Sequence, residues 1–120
     1  MSADLLFIQY PQCGTCRKAK AFLDSRGAVY ETRHIVEDRP TAAELSAWQQ
    51  RAGLPLKKFF NTSGKRYREL ELSKKLPAMS ESEQLDLLAA DGMLVKRPIL
   101  VAGETVLVGF READWEKILK

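Results

Sequence analysis

Two cysteines three positions apart are the residues of this chain best suited to chemistry. Cys13 and Cys16 stand in the stretch YPQCGTC, residues 10–16, and the 120-residue chain has no other cysteine. A thiolate is a good nucleophile, and two thiols at this spacing can close a disulfide with little backbone movement. The pair therefore indicates redox or nucleophilic sulfur chemistry. Zinc binding and two inert core thiols are the alternatives.

The elements expected around the pair give the two thiols different surroundings. An apolar strand is predicted over residues 5–10, and Pro11 ends it because proline cannot continue a β-ladder. A helix is predicted over about residues 15–26. Its buried face has spacings of three and four, and it comprises Cys16, Ala19, Phe22 and Leu23. We therefore expect Cys16 to be buried and Cys13 to lie exposed at the start of the helix.

The start of a helix favours the anionic form of a thiol. Its free N–H groups and positive dipole end stabilise a thiolate, and Arg17 and Lys18 add positive charge nearby. Cys13 is thus predicted to be a nucleophile of low pKa, and Cys16 to be the thiol that resolves a mixed disulfide. Gly14 would let a substrate or an anion approach the main chain closely.

A second motif, Lys96-Arg97-Pro98-Ile99, precedes a buried strand. In thioredoxin-like folds a proline at this place lies opposite the cysteines, and a cis peptide bond before Pro98, if present, would mark a specific turn. Arg97 would then face the site, where a guanidinium can hold an oxyanion or stabilise a thiolate. The alternative is a surface arginine that has no functional role.

The remaining patterns predict how the chain is organised. A strand over residues 29–35 completes a βαβ unit, and capping boxes at Thr41/Glu44 and Ser80/Glu83 open two helices. Short helical pieces are expected over residues 57–76. A hairpin over residues 99–108, with a four-residue loop, and a last helix after Arg111 follow. The order predicts a thioredoxin-like α/β fold: a mixed sheet flanked by helices, with an inserted helical region between the βαβ unit and the ββα unit, in one domain over residues 1–120.

Composition and charge exclude several classes of protein. The net charge is +3, hydrophobic residues make up 45%, and no apolar run approaches the roughly 18 residues of a membrane helix. We expect a cytoplasmic protein with no signal peptide, no disulfide framework, no membrane association and no direct nucleic-acid binding. The basic stretch from Lys57 to Arg68 is expected to be a solvated face, with an anion or partner surface as the alternative. A structural zinc site needs four ligands, and His34 is the one histidine beside the two cysteines, so no metal is expected.

Four stretches together resemble the arsenate reductase-like ArsC/Spx/MgsR family over nearly the whole length. They are CGTCRKA at residues 13–19, FNTSGKRYREL at residues 60–70, KRPI at residues 96–99 and VGF at residues 108–110. The resemblance implies a thioredoxin-like fold and thiol-dependent redox chemistry. It assigns catalysis to Cys13, Cys16 and Arg97. Substrate binding is expected at Gly14, Thr15, Arg17 and Pro98.

The resemblance leaves two functions open. Arsenate reductases of this family place three arginines around the oxyanion, but Asn61 and Phe110 stand at two of the expected positions. One expectation is an oxidoreductase acting on arsenate or a disulfide, with no bound cofactor and with glutathione, thioredoxin or glutaredoxin as reductant. The alternative is a redox-sensing regulator of the Spx/MgsR type, whose partner is the RNA polymerase α subunit. The chain ends at Lys120, without the extended C-terminal tail of Spx, so the polymerase role does not carry over directly.

Overall fold

A four-stranded mixed sheet forms the centre of the computed structural model, which describes residues 5–119. The strands are β1 (Leu5–Gln9), β2 (Tyr30–His34), β3 (Ile99–Ala102) and β4 (Thr105–Val108). They lie in the order β2-β1-β3-β4, with β2 parallel to β1 and the other two neighbouring pairs antiparallel. The predicted thioredoxin-like α/β sheet is confirmed.

Within residues 5–119, six α-helices flank the sheet, and three 3₁₀ turns connect some of them. The helices are α1 (Gly14–Ser25), α2 (Ala42–Ala52), α3 (Lys65–Glu69), α4 (Leu72–Lys75), α5 (Glu81–Ala90) and α6 (Glu112–Leu119). The 3₁₀ turns are Leu56–Phe59, Leu76–Ala78 and Gly92–Leu94. Both predicted capping boxes are present, because Thr41 and Ser80 each exchange hydrogen bonds with the glutamate three residues later. The helical insertion thus comprises α2 to α5, as expected.

The sheet separates two apolar clusters, because successive side chains of a strand point to opposite faces. Phe7 of β1 packs with α1 and with Trp115 of α6. Ile8, the next residue, packs on the other face with Leu45 of α2 and Leu88 of α5. The central strand β1 is therefore covered on both sides, and packing on its two faces fixes the position of its C-terminal end.

The β3–β4 hairpin turns more tightly than predicted. Ala102 pairs with Thr105, so the connection is the two residues Gly103 and Glu104 rather than four. Gly103 has a φ of +60°, a conformation that glycine adopts without steric cost. Over the described range 5–119, no helix has the length and apolarity needed to cross a membrane.

Candidate functional site

Cys13 occupies the N-cap position of α1, at the C-terminal edge of the central strand. Its backbone is extended, with φ −85° and ψ 125°, and its carbonyl accepts the first helical hydrogen bond, from the Arg17 N–H at 3.0 Å. The Cys13 N–H donates to the Tyr10 carbonyl at 2.9 Å, which fixes the turn after β1. Cys13 is partly exposed, whereas Cys16 is 1% exposed, and both are free thiols. This is the predicted arrangement of an outer and an inner sulfur.

The pKa of the Cys13 thiol lies below its ordinary value. Partial burial raises this pKa, but the N–H and thiol of Cys16, the N–H of Thr15 and the positive charge of Arg97 together lower it by more. The Cys13 side chain makes no full capping hydrogen bond as a thiol. The N–H groups at the helix start are nevertheless close enough to attract the thiolate. Cys13 is therefore the sulfur better prepared to act as a nucleophile.

The pKa of Cys16 is shifted in the opposite direction. Burial is the largest cause that raises it, and the neighbouring Cys13 adds to the effect, so that it reaches about 12. The Tyr10 N–H donates to the Cys16 sulfur at 3.4 Å, which opposes the rise without cancelling it. Cys16 is consequently the thiol that keeps its proton, and Cys13 is the one that loses its proton more readily.

Arg97 is held over Tyr10 by carbonyl groups. One terminal nitrogen donates to the Val95 carbonyl at 3.1 Å and to the Met93 carbonyl at 3.3 Å. The guanidinium carbon lies 5.1 Å from the centroid of the Tyr10 ring. The Nε atom of Arg97 is the one buried side-chain nitrogen or oxygen in residues 5–119 that has no hydrogen-bond partner. An anion near Cys13 would therefore meet the positive charge of Arg97, which pairs with no carboxylate in the described residues.

The other predicted site residues take different positions. Gly14 and Thr15 are exposed at the helix start, and a side chain added at Gly14 would meet open space. Pro98 is buried, its bond to Arg97 is cis, and its carbonyl accepts the Gly109 N–H at 2.8 Å. Arg17 donates from Nε to the Pro11 carbonyl at 3.0 Å. Of the three predicted sources of positive charge, Arg97 lowers the Cys13 pKa, whereas Arg17 and Lys18 are not among its main causes.

Tyr10 is a site residue that the sequence patterns did not single out. Its N–H contacts Cys16, its ring lies under Arg97, and His34 packs edge-on against the same ring at 5.6 Å. Its hydroxyl donates to the Gln12 side chain at 2.9 Å. The sequence did contain one indication of this role: an aromatic residue stands directly before the Pro-Gln-Cys turn. Such a ring can stack on the guanidinium of an arginine that is distant in sequence and close in the fold.

The two residues found where arginines were expected have structural roles. The Asn61 N–H donates to the Leu94 carbonyl at 2.8 Å, and the Asn61 carbonyl accepts the Gly64 N–H at 3.0 Å. Phe110 packs against Phe22 and Trp115, with ring centroids 5.6 and 5.0 Å away. Arg97 is thus the one arginine among the three expected positions. Nor do the described residues bring together three His, Cys, Asp or Glu side chains that could hold a metal ion.

Comparison with known proteins places this geometry in a family. The model described as "ArsC family" matches residues 8–118, which include both cysteines and Arg97. The chain belongs to the ArsC family. Relatives inside this ArsC family carry the names of reductases as well as regulators.

Three similar proteins illustrate that range. "Uncharacterized protein YusI" of Bacillus subtilis is 56% identical over 113 residues, which cover 94% of this chain and 96% of YusI. "Regulatory protein MgsR" of the same organism is 28% identical over 120 residues, covering 100% and 94% of the two chains. The crystal structure of "a possible arsenate reductase" from Streptococcus mutans superposes with a TM-score of 0.87 at 45% identity, covering 96% of this chain and 99% of that one. Membership of the ArsC family is therefore shown. Because the names of these relatives differ in function, the function of this chain is inferred from the geometry of its site.

Proposed function

We propose that this ArsC family protein is a thiol-dependent oxidoreductase in which Cys13 is the nucleophile and Cys16 the resolving thiol. The observation that carries the proposal is the opposite shift of two thiol pKa values within one helical turn. Groups whose pKa values are driven apart by their surroundings commonly have different roles in one reaction. Arg97 supplies the positive charge for an anionic substrate or for the thiolate.

With a disulfide substrate, the reaction needs only these two sulfurs. The Cys13 thiolate attacks one substrate sulfur, a mixed disulfide forms, and one substrate thiolate leaves. Cys16 gives its proton to that thiolate and attacks the Cys13 sulfur, so that a Cys13–Cys16 disulfide forms and the second substrate thiolate leaves. Because Cys13 contributes to the high pKa of Cys16, its bonding to substrate makes deprotonation of Cys16 easier. Two electrons reach the substrate, and glutathione, thioredoxin or glutaredoxin restores the dithiol.

With arsenate, the same two sulfurs reduce the oxyanion. The Cys13 sulfur bonds to arsenic and water is lost; Cys16 then attacks the Cys13 sulfur, and the sulfur–arsenic bond breaks with its electron pair on arsenic. Arsenite and the Cys13–Cys16 disulfide are the products. The positive charge of Arg97 and the N–H groups at the start of α1 would hold the oxyanion. Asn61 and Phe110 provide no further positive charge, so we expect weak arsenate binding.

A turnover assay with two substrates and three proteins tests this function. The wild type, Cys13→Ser and Cys16→Ser are compared with arsenate and with a glutathione mixed disulfide, using glutathione plus glutaredoxin or thioredoxin as reductant. Loss of activity in both variants supports the internal disulfide. Loss in Cys13→Ser alone assigns resolution to the external thiol. No turnover with either substrate overturns the enzymatic function.

A redox-sensing regulator is the second candidate, and two observations favour it. MgsR, named as a regulatory protein, is similar along the whole of this chain, and the Asn61 and Phe110 positions lack the arginines expected of an arsenate reductase. In this role the Cys13–Cys16 disulfide would change a protein-binding surface, with the RNA polymerase α subunit as partner. Co-purification of the oxidised but not the reduced protein with purified α subunit would support the sensor. Equal or absent binding in both states would count against it.

A further inference from the structure

The end of the sheet that carries Cys13 also carries the residues that follow β4. β1 ends just before the turn to Cys13, and the strand registers pair Ile8 with Ile99 and Ile99 with Val108. The C-terminal ends of β1 and β4 therefore lie at the same end of the sheet, with β3 between them. Because neighbouring strands lie about 4.8 Å apart, roughly 10 Å separates these two strand ends.

A groove of about 830 Å³ runs along β4 and past its C-terminal end. Lys96 and Gly109 contribute to its lining. Lys96 directly precedes Arg97 in the chain, and the Gly109 N–H donates to the Pro98 carbonyl at 2.8 Å. The groove therefore borders the segment that holds Arg97, and a substrate whose sulfur reacts at Cys13 can extend from there into the groove.

The groove offers side chains rather than free main-chain groups. Its strand edge is covered, because α2 packs against β4 and Val106 is 3% exposed. The volume is far larger than a bare oxyanion requires and lies within the range of pockets that bury larger ligands. Apolar side chains also contribute to the lining, namely Leu54, Phe60, Val108 and Phe110. These features suit a peptide segment that is recognised through its side chains.

The groove carries an excess of positive charge. One acidic residue, Asp114, lines it together with four basic residues, Lys57, Lys58, Lys96 and Arg111. All four basic residues are exposed, and none of them forms an ion pair within the described range 5–119. By contrast, Arg66, which belongs to the same basic stretch of sequence as Lys57 and Lys58, is paired with Asp91 and Glu69. The positive charge of the groove is thus available to a partner.

We propose that this groove binds the acidic segment beside the reacting disulfide of a protein substrate, so that acidic protein disulfides are the preferred substrate class. The inference rests on the proposed thiol–disulfide function of Cys13. The Cys13 sulfur bonds to one substrate sulfur, the other substrate sulfur leaves as a thiolate, and the basic side chains of the groove hold carboxylates of the substrate. An extended chain spans about 3.3 Å per residue, so these carboxylates belong to residues three or more positions from the substrate cysteine.

Single-turnover reduction of two matched peptides tests the proposal at low salt. Each thirteen-residue peptide has a central cysteine joined by a disulfide to 2-mercaptoethanol. One peptide has glutamate, and the other glutamine, at the positions three and five residues on each side of that cysteine. The pre-reduced protein is in excess and supplies the two electrons, and chromatography follows the free peptide thiol. We expect the wild type to reduce the glutamate peptide at least tenfold faster than the glutamine peptide.

Charge reversals inside and outside the groove locate the preference. In Lys57→Glu/Lys58→Glu/Lys96→Glu the ratio of the two rates should fall to twofold or less. The matched control, Lys65→Glu/Lys74→Glu/Lys75→Glu, reverses three exposed lysines outside the groove and should keep the wild-type ratio within twofold. Both triples change the net charge from +3 to −3, since each reversal subtracts two charges. The ratio is unaffected by changes in Cys13 itself, and the milder Lys57→Gln/Lys58→Gln/Lys96→Gln should give an intermediate ratio.

The outcomes separate this inference from the proposed function. Equal rates for the two peptides in the wild type, or equal loss of the preference in both triples, would overturn the inference and leave the function intact. Reduction of neither peptide would contradict the function instead. Anisotropy with a serine analogue of the glutamate peptide would then still support the acidic site if the groove triple alone lost binding. Stronger inhibition by a single-stranded DNA 15-mer than by that analogue, or dimerisation that the groove triple abolishes, would assign the groove to another occupant and overturn the proposal.

Discussion

Arg33 and Arg97 are two of the three arginines that lie over aromatic rings in residues 5–119, and their surroundings differ in one respect. Arg33 of β2 lies 5.9 Å from the Trp48 ring and Arg97 lies 5.1 Å from the Tyr10 ring. Arg33 donates both terminal nitrogens to the Glu44 carboxylate at 2.7 Å and its Nε to the Asp38 carbonyl at 2.9 Å. Arg97 contacts carbonyls alone, and its Nε has no partner.

The difference distinguishes a guanidinium that stabilises the fold from one that is free to serve a site. A bidentate carboxylate neutralises Arg33 and orients it, so its charge is used inside the protein. Carbonyl groups orient Arg97 without neutralising it, so its positive charge remains for the Cys13 thiolate or for an anionic substrate. The arginine at the β2–α2 junction thus stabilises the fold, whereas the arginine near the C-terminal end of β1 is available to the site.

The largest expected effect is on turnover in Arg97→Gln. Glutamine can still accept and donate hydrogen bonds, but it carries no charge, so we expect activity to fall about 100-fold and the Cys13 pKa to rise. Steady-state kinetics and the pH dependence of Cys13 alkylation measure the two effects. Arg33→Gln is the matched control. In its folded form we expect Cys13 alkylation to have the same pH dependence as in the wild type. Equal turnover in the two variants would remove Arg97 from the site.

The second-largest expected effect is a loss of stability in Arg33→Gln. The substitution leaves the Glu44 carboxylate and two carbonyls without their donor, at a side chain that is 14% exposed. The Glu44 side chain is 37% exposed, so solvent weakens its interaction with Arg33. We therefore expect the unfolding free energy to decrease by about 2 kcal/mol. Urea denaturation measures it. The unfolding free energy of Arg97→Gln should decrease by less than half as much. A larger decrease in Arg97→Gln than in Arg33→Gln would contradict the assignment of Arg33 to the fold and Arg97 to the site.

Much of this architecture follows from local patterns. The capping boxes at Thr41 and Ser80 and the break at Pro11 are short-range signals, and the helices and the first strand follow them. The tight approach at Gly92 depends instead on distant parts of the chain, because a Cβ there would lie 2.1 Å from the Ile35 carbonyl oxygen. No spacing within residues 91–95 indicates that contact.

The candidate site divides in the same way. The different exposure of Cys13 and Cys16 follows from their places on one helix, and it could be predicted. The role of Tyr10 could not, because it depends on Arg97, which lies far along the chain. Positive charge beside Cys13 was expected from Arg17 and Lys18 as well as from Arg97. The Arg17 side chain turns back to Pro11, and Arg97 supplies the charge.

Acid pH should weaken the β2–α2 junction. The hydrogen bond from Arg33 is the largest cause that lowers the Glu44 pKa, to about 2, below the roughly 4.3 of an unfolded glutamate. A group with a lowered folded pKa stabilises the fold above its unfolded pKa, and this stability is lost as the pH falls through the folded value. We therefore expect unfolding free energy to decrease between about pH 4.5 and pH 2. Denaturation curves of Glu44→Gln should show a shallower decrease there; an identical slope would contradict the assignment.

The smallest expected effect concerns the ring beneath Arg97. Tyr10→Phe keeps the aromatic face and the backbone N–H that contacts Cys16, and it removes only the hydroxyl bonded to Gln12. We expect its turnover and Cys13 alkylation to stay within about twofold of wild type. Tyr10→Leu keeps the apolar volume but not the π face, so Arg97 loses an attraction of about 0.5 to 1 kcal/mol and activity falls about threefold.

The two Tyr10 variants together decide whether the ring positions the charge or merely fills space. If it positions Arg97, the Michaelis constant for an anionic substrate rises in Tyr10→Leu and not in Tyr10→Phe, while both variants unfold at similar urea concentrations. Equal kinetics in the two variants would show that the carbonyls of Met93 and Val95 hold the guanidinium without help. At the other arginine, Trp48→Leu should leave those kinetics unchanged and reduce stability, since Trp48 is buried in the core beneath Arg33.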